Sequence, residues 1–530
     1  MFIRLDQLLT KTSIAAENVA ILHQQQTWSY GELNALVQQQ ARALCGIGLK
    51  PRQRVAIYLP KQIEAISSLL AISLAGGVFV PVNPVLKAAQ VCHIISDCEV
   101  QVLITSSSRL ALLGNLDNFP YLQTIILAEN SPFSIECQMQ SILAWQDFLA
   151  YASNSDSTTN TSSVDTDMAA ILYTSGSTGK SKGVVLSHRN LLVGAASVAE
   201  YLNITEHDRL LAVLPFSFDY GLNQLTTALL TGASCVLMDY LLPRDVLNAL
   251  VTYQITGLAA VPPLWIQLAN LQWPESINQH LRFMTNSGGK LPENILHKIR
   301  TQIPNAAFFL MYGLTEAFRS TYLPSEQLMQ RPNSIGKAIP NADVLVVRPD
   351  GSRCQANEPG ELVHRGPLVS LGYWNDVEKT AERFKPAPGY IKELPFPEIA
   401  VWSGDTVVQD KEGYFYFIER NDEMIKTSGY RVSPTEIEEI VYASPLVKEA
   451  IALGLAHAVL GQAILLLVTL KDGDMLDLPL LEKHCKLYLP NFMQPADIKV
   501  LNTLPRNPNG KIDRPALKQQ FAELFVTPIK

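Results

Sequence analysis

The stretch Thr174-Ser175-Gly176-Ser177-Thr178-Gly179-Lys180-Ser181-Lys182-Gly183 carries a dense set of groups that bind phosphate. Its glycines let the backbone approach an anion closely, its hydroxyls and free N–H groups donate to phosphate oxygens, and Lys180 and Lys182 add positive charge. Such a loop is suited to cradling a nucleotide. It is not a Walker A loop. That pattern requires glycine at position 174, where threonine stands, and a helix immediately afterwards, where Val184-Val185-Leu186 reads as a strand.

The loop must be held by the elements around it. Residues 169–173 form an apolar run typical of a buried strand, so the loop leaves a strand end. Upstream, Trp28-Ser29-Tyr30-Gly31-Glu32-Leu33 opens an amphipathic helix through Leu44, with Tyr30, Leu33, Val37 and Ala41 at helical spacing. A strand at 54–59, a helix at 63–75 and a strand at 78–82 follow, and this order predicts a parallel α/β sheet. Further strands are expected at 209–214, 234–238, 257–261 and 307–311. The pattern turns strand-rich at 342–347, 360–364, 407–409 and 414–419, with Asp410-Lys411-Glu412-Gly413 as a hairpin turn. The polar stretch 153–167 reads as a surface connection. The expected fold class is α/β. A large N-terminal domain spans 1–422, with sub-lobes at about 1–167, 168–340 and a β-rich 341–422, and a small α+β domain spans 423–530.

The 530 residues exceed one compact domain, and 47% hydrophobic against 17% charged residues is ample for a large core. A net charge of −7 is a poor basis for general nucleic-acid binding. The seven cysteines show no metal-ligand or C-x-x-C spacing, which fits free thiols in a reducing compartment. The segment MFIRLDQLLTKTS lacks a secretory h-region, and no apolar run approaches the ~18 residues of a membrane span. A cytoplasmic protein is the expectation.

Tyr173 to Gly183 resembles the signature loop of the adenylate-forming superfamily: acyl-CoA synthetases, luciferases and the adenylation domains of nonribosomal peptide synthesis. Ser181 departs from the family's usual proline. The resemblance extends in order along nearly the whole chain, through Tyr312-Gly313-Leu314-Thr315-Glu316, Trp402-Ser403-Gly404-Asp405, Arg420-Asn421-Asp422, Lys426-Thr427-Ser428-Gly429-Tyr430-Arg431 and Asn507-Pro508-Asn509-Gly510-Lys511-Ile512-Asp513.

The resemblance implies a carboxylate attacking the α-phosphate of ATP. Glu316 is then the Mg2+ ligand and Thr315 the α-phosphate contact. Tyr312, with Gly288 and Gly289, holds adenine, and Asp405 and Arg420 hold the ribose. Thr174, Ser175, Gly176, Ser177, Thr178, Gly179, Lys182, Met311, Gly313 and Phe417 complete the nucleotide site. Lys511 is the catalytic cation, bridging substrate carboxylate and phosphate. Asp422 is a hinge about which the small, mobile C-terminal domain rotates. In the second half-reaction the loop containing Lys426 and Gly429 replaces Lys511, and a pantetheine thiol enters.

For the acid, Phe216-Ser217-Phe218-Asp219 matches the place where amino-acid adenylation domains hold the substrate ammonium. Asp219 and Lys511 would then grip the two ends of a zwitterion, whereas a fatty acid would leave Asp219 unpaired. Tyr220, Asn223, Ala260, Thr285, Ser287, Met311 and Ser320 are the remaining pocket positions. The wording is most similar to free-standing enzymes that activate proline and load it on a carrier protein. A group of acyl-CoA ligases tied to bacterial exopolysaccharide and protein-sorting loci shares much of it. The expected function is formation of an aminoacyl-AMP, from L-proline foremost, followed by transfer to the phosphopantetheine of a separate carrier protein. The alternative is an AMP-forming acyl-CoA ligase for a small or fatty acid. A non-catalytic nucleotide-binding scaffold is a third class, and the intact Glu316 and Lys511 argue against it.

Overall fold

The computed structural model describes residues 3–10, 14–130, 140–153, 163–174, 181–420, 424–444, 447–470, 478–506 and 512–526. Helix Tyr30–Gly46 forms where an amphipathic helix is expected, and Ser29 and Glu32 make a capping box at its start. Two large sheets build the N-terminal domain. In the first, strands run in the order Ser141–Ala144, Thr124–Leu127, Val102–Thr105, Arg54–Tyr58, Val78–Pro81, Met168–Thr174 and Lys182–Ser187. All these neighbours are parallel except the last pair, in which Leu172 faces Val184 across an antiparallel register.

The second sheet has 14 strands among the described residues. Its parallel centre comprises Ser234–Leu237, Arg209–Ala212, Gly257–Ala260, Phe283–Asn286 and Ala307–Tyr312. It continues antiparallel through Thr321–Leu323 and Ser334–Ala338 into the strand-rich region, where Phe415–Arg420, Ile399–Gln409, Gly360–Arg365 and Asp343–Val347 follow. The sub-lobe boundaries read from sequence therefore need correction. The strands after 167 complete the first sheet, Val19–His23 pairs with Ser234–Leu237 of the second, and residues 341–420 extend that same sheet. Pairing follows edge complementarity in space, so a composition shift along the chain does not mark a break between sheets.

Helices His188–Leu202 and Asp219–Thr231 are packed together in the core, and Asp219–Thr231 is buried on nearly every side. A third, five-stranded sheet forms the small domain, with helix Pro434–Tyr442 packed on its long hairpin Val447–His457 and Gly461–Leu470. The small domain rests on the large one, and Gln90 Nε2 donates to Glu436 Oε1 across the seam at 2.7 Å. Among the described residues, no helix is long and apolar enough to cross a membrane, and the cysteines are free.

Two histidines are buried in the large domain. His188 Nδ1 accepts the Leu5 N–H at 3.4 Å, and His364 Nδ1 lies 3.0 Å from Ser320 Oγ. Burial pushes both imidazoles down to about 4. In the unfolded chain they bind protons below ~6.5. Between those values the unfolded state holds more protons, so stability declines as pH falls. Each histidine should remove about 2 kcal/mol by pH 5. Thermal melts at pH 7.5 and 5.0 should show this loss, and a His364→Gln variant should show roughly half of it; an unchanged pH dependence would contradict the assignment.

Candidate active site

In parallel α/β sheets, ligands collect where strands end at their carboxyl edge. Here the ends of Arg209–Ala212, Gly257–Ala260, Phe283–Asn286 and Ala307–Tyr312 lead into Phe216–Asp219, Val261, Ser287-Gly288 and Gly313–Glu316. From the first sheet, Met168–Thr174 brings Thr174 to the same place. These segments line one cavity of about 710 Å3. The small domain closes another side of it with Lys426, Ser428, Gly429, Tyr430 and Arg431.

The cavity gathers, from the sequence reading, Thr174, Asp219, Ser287, Gly288, Gly313, Thr315, Glu316, Lys426 and Gly429. Gly288 and Gly429 both have positive φ, at 80° and 79°, and the Gly429 carbonyl lies 3.6 Å from where a Cβ on Gly288 would stand. The lysine-glycine loop thus reaches Gly288, on the side of the large domain expected to hold adenine. Ser175, Gly176, Ser177, Thr178, Gly179, Asp422 and Lys511 lie outside the described residues, as does the Arg420 side chain.

Glu316 is buried, and its Oε1 accepts a hydrogen bond from the Tyr373 hydroxyl at 2.6 Å. Tyr373 was not singled out from sequence. The signal was the aromatic pair Tyr373-Trp374 after Gly372, whose backbone pairs with Val185 beside the phosphate loop. No group of three or more His, Cys, Asp or Glu side chains that could hold a metal gathers among the described residues. One cavity carboxylate fits Mg2+, which commonly takes one or two protein carboxylates and fills its shell with water and phosphate oxygens.

Asp405 and Tyr312, far apart in sequence, meet directly, with the tyrosine hydroxyl donating to Asp405 Oδ2. This joins the residues expected at adenine and ribose. Phe417 is half-exposed, and Lys426 Nζ lies 5.3 Å from its ring centroid. Lys182 does not line the cavity. Its ammonium pairs with Asp376 at 3.1 Å and lies over the Tyr373 ring. Gly289 stands just outside the cavity, its carbonyl accepting from Asn286 Nδ2.

The acid pocket differs most from expectation. Tyr220, Asn223, Thr285 and Met311 surround a separate space of about 30 Å3, and Tyr220 and Thr285 are hydrogen bonded at 2.5 Å. Ala260 and Ser320 are fully buried and line neither space. Asp219 is the first residue of its helix and faces the main cavity. It is not unpaired in the absence of an ammonium. Arg319 Nη1 lies 3.4 Å from its Oδ2, and the Thr315 hydroxyl lies 3.5 Å from its Oδ1. Burial nevertheless pushes the Asp219 carboxyl above its usual range, against the pull of Arg319. Phe318 precedes the arginine at φ 55°, inside a tight turn closed by Arg319 N–H to Ala317 O. A non-glycine residue held in this sparsely populated region is the kind of strain found where a fold fixes a functional side chain.

The family model for AMP-binding enzymes matches residues 11–374, and that for the AMP-binding enzyme C-terminal domain matches 436–511. The chain belongs to the AMP-binding, adenylate-forming enzymes. It is 30% identical over 517 residues to the L-proline--[L-prolyl-carrier protein] ligase of Pseudomonas fluorescens, covering 94% of this chain and 96% of that protein. It is 29% identical over 510 residues to gramicidin S synthase 2 of Aneurinibacillus migulanus, but spans only 11% of that protein's length. The solved o-succinylbenzoate CoA synthetase of Bacillus subtilis superposes with a TM-score of 0.80 at 25% identity, over 97% of this chain and 98% of that one. The chain has the superfamily's large N-terminal and small C-terminal domain arrangement, and ATP is the co-substrate its family uses.

Proposed function

We propose that the chain couples a small carboxylic acid to AMP, releasing pyrophosphate, and then passes the acyl group to a pantetheine thiol on a separate carrier protein or on coenzyme A. The observation that carries this reading is the single cavity in which Thr315, Glu316, Gly288 and Asp219 meet the 426–431 loop of the small domain. In the first step an acid oxygen forms a bond to the α-phosphorus as the bond to the pyrophosphate oxygen breaks. Thr315 donates to the α-phosphate, Asp405 and Tyr312 hold the nucleoside, and Lys511 screens the two approaching anions. Mg2+, held through Glu316, supplies neutralisation of phosphate charge when bound. In the second step the thiol attacks the acyl carbon and AMP leaves, with the 426–431 loop at the cavity.

For the acid, L-proline is supported by the full-length likeness to a prolyl-carrier-protein ligase and by Asp219 at the cavity wall. The Arg319–Asp219 pair favours a second reading, an acid without an ammonium group, because the carboxylate already has its cation. The geometry supports this second reading best. Pyrophosphate exchange with the twenty amino acids and a set of short acyl acids tests both. Exchange with acyl acids and not with proline is the expected result; proline-dependent exchange restores the first reading. ATP binding without exchange for any acid would remove the enzymatic proposal.

A further inference from the structure

Arg319 lines the main cavity yet is only 2% exposed, its guanidinium carbon 4.5 Å from the Tyr220 ring centroid. One of its terminal nitrogens faces Asp219. The other two nitrogens, Nε and Nη2, are buried without a hydrogen-bond partner among the described residues. A buried, unmet donor typically costs ~1–3 kcal/mol, so two on one edge favour an acceptor there. Elsewhere this chain uses that same edge repeatedly. Arg189 grips Asp165 through Nε and Nη2 at 2.8 and 2.8 Å, and Arg282 grips Asp208 at 3.1 and 2.8 Å. At Arg319 no described protein acceptor meets that edge, and the residue itself lines the main cavity.

We infer that Arg319 is a specificity-determining residue that recognises an oxygen acceptor on the acyl part of the acid and excludes an α-ammonium. The occupant is a neutral oxygen, as in a hydroxy, oxo or cyclic ether acid. Asp219 already balances the arginine, so a second carboxylate would add an uncompensated charge beside Asp219 and Glu316, both of them buried. An ammonium would meet a guanidinium of like charge. The inference rests on the adenylation reading above.

The test is pyrophosphate exchange by the full chain with two isosteric series. One comprises tetrahydro-2-furoate, cyclopentanecarboxylate and proline; the other comprises 2-hydroxybutyrate, butyrate and 2-aminobutyrate, with 3-hydroxybutyrate and succinate added. In at least one series the oxygen acid should exceed its carbon isostere about 10- to 100-fold in kcat/KM, with the amino acid lowest. Arg319→Met should erase the oxygen preference and raise the amino acid, by leaving Asp219 free to accept an ammonium. Arg319→Lys keeps Asp219 neutralised and should keep the amino acid excluded, so it holds the test open if the methionine protein folds poorly. Equal rates for oxygen and carbon isosteres would overturn the inference while leaving adenylation intact. So would a uniform loss across each series in Arg319→Met, or a preference for proline or succinate. Exchange with no acid at all would remove the adenylation reading and this inference together.

Discussion

A Gly429→Val protein should form thioester about 100-fold more slowly than the parent and yet exchange pyrophosphate within about threefold of it. Gly429 adopts φ 79°, a left-handed conformation that costs a side-chain-bearing residue ~1–2 kcal/mol. A Cβ there would stand 2.9 Å from Val261 Cβ, closer than packed carbons allow, and both Val261 methyl groups would lie 3.0 Å away. Val261 opens the rigid helix Pro262–Ala269 behind strand Gly257–Ala260, so it has little room to yield. Overpacking of this kind adds ~1–3 kcal/mol. The overpacking penalty applies only where the 426–431 loop is seated against the large domain, as in this structure, whereas the backbone cost falls on the small domain's own hairpin turn in either arrangement. Assays of each half-reaction on the same preparation, with a melting curve for folding, check the result. Equal losses in both half-reactions would show that the loop position is not tied to thiol transfer.

Lys511→Ala should have the opposite profile and the larger effect. Acid-dependent pyrophosphate exchange is expected to fall about 1,000-fold, because the two anions that approach each other lose a preplaced cation whose benefit grows as charge develops. Transfer from preformed acyl-adenylate to a thiol should stay within about threefold, since the phosphate bond is already made in that step. Supplying synthetic acyl-AMP to the variant separates the two steps. A variant equally defective in both would argue that one arrangement of the small domain serves the whole reaction.

Much of the scaffold is readable from local chemistry. The Ser29/Glu32 capping box, the apolar runs that become Arg54–Tyr58, Val78–Pro81 and Met168–Thr174, and the Asp410–Gly413 turn all follow from contacts between near neighbours. What could not be read depends on long-range pairing. Nothing near Val19–His23 announces a parallel partner at Ser234–Leu237. Likewise Arg319 is not legible beside Ser320, because spacing within a motif carries no information about a carboxylate 100 positions upstream. A usable signal was present: an arginine between Phe318 and the start of strand Thr321–Leu323 sits where a buried residue is expected, and a buried arginine requires an anion. Tyr373 shows the same limit, since its hydroxyl finds Glu316 only after the 366–375 segment folds back over the first sheet.

The pairing of Val19–His23 with Ser234–Leu237 also shapes how the chain is made. During translation the earliest strand must wait for a partner about 200 residues downstream, on the order of 10–40 s at ribosomal speed. Until then Val19–His23 is laddered on one side only, to Gln26–Ser29, and once Ser234–Leu237 emerges its parallel edge is open to any passing strand until the two meet. The nascent polypeptide is therefore most vulnerable to aggregation in that interval, and proteins shortened past Ser29 would carry the exposed edge permanently.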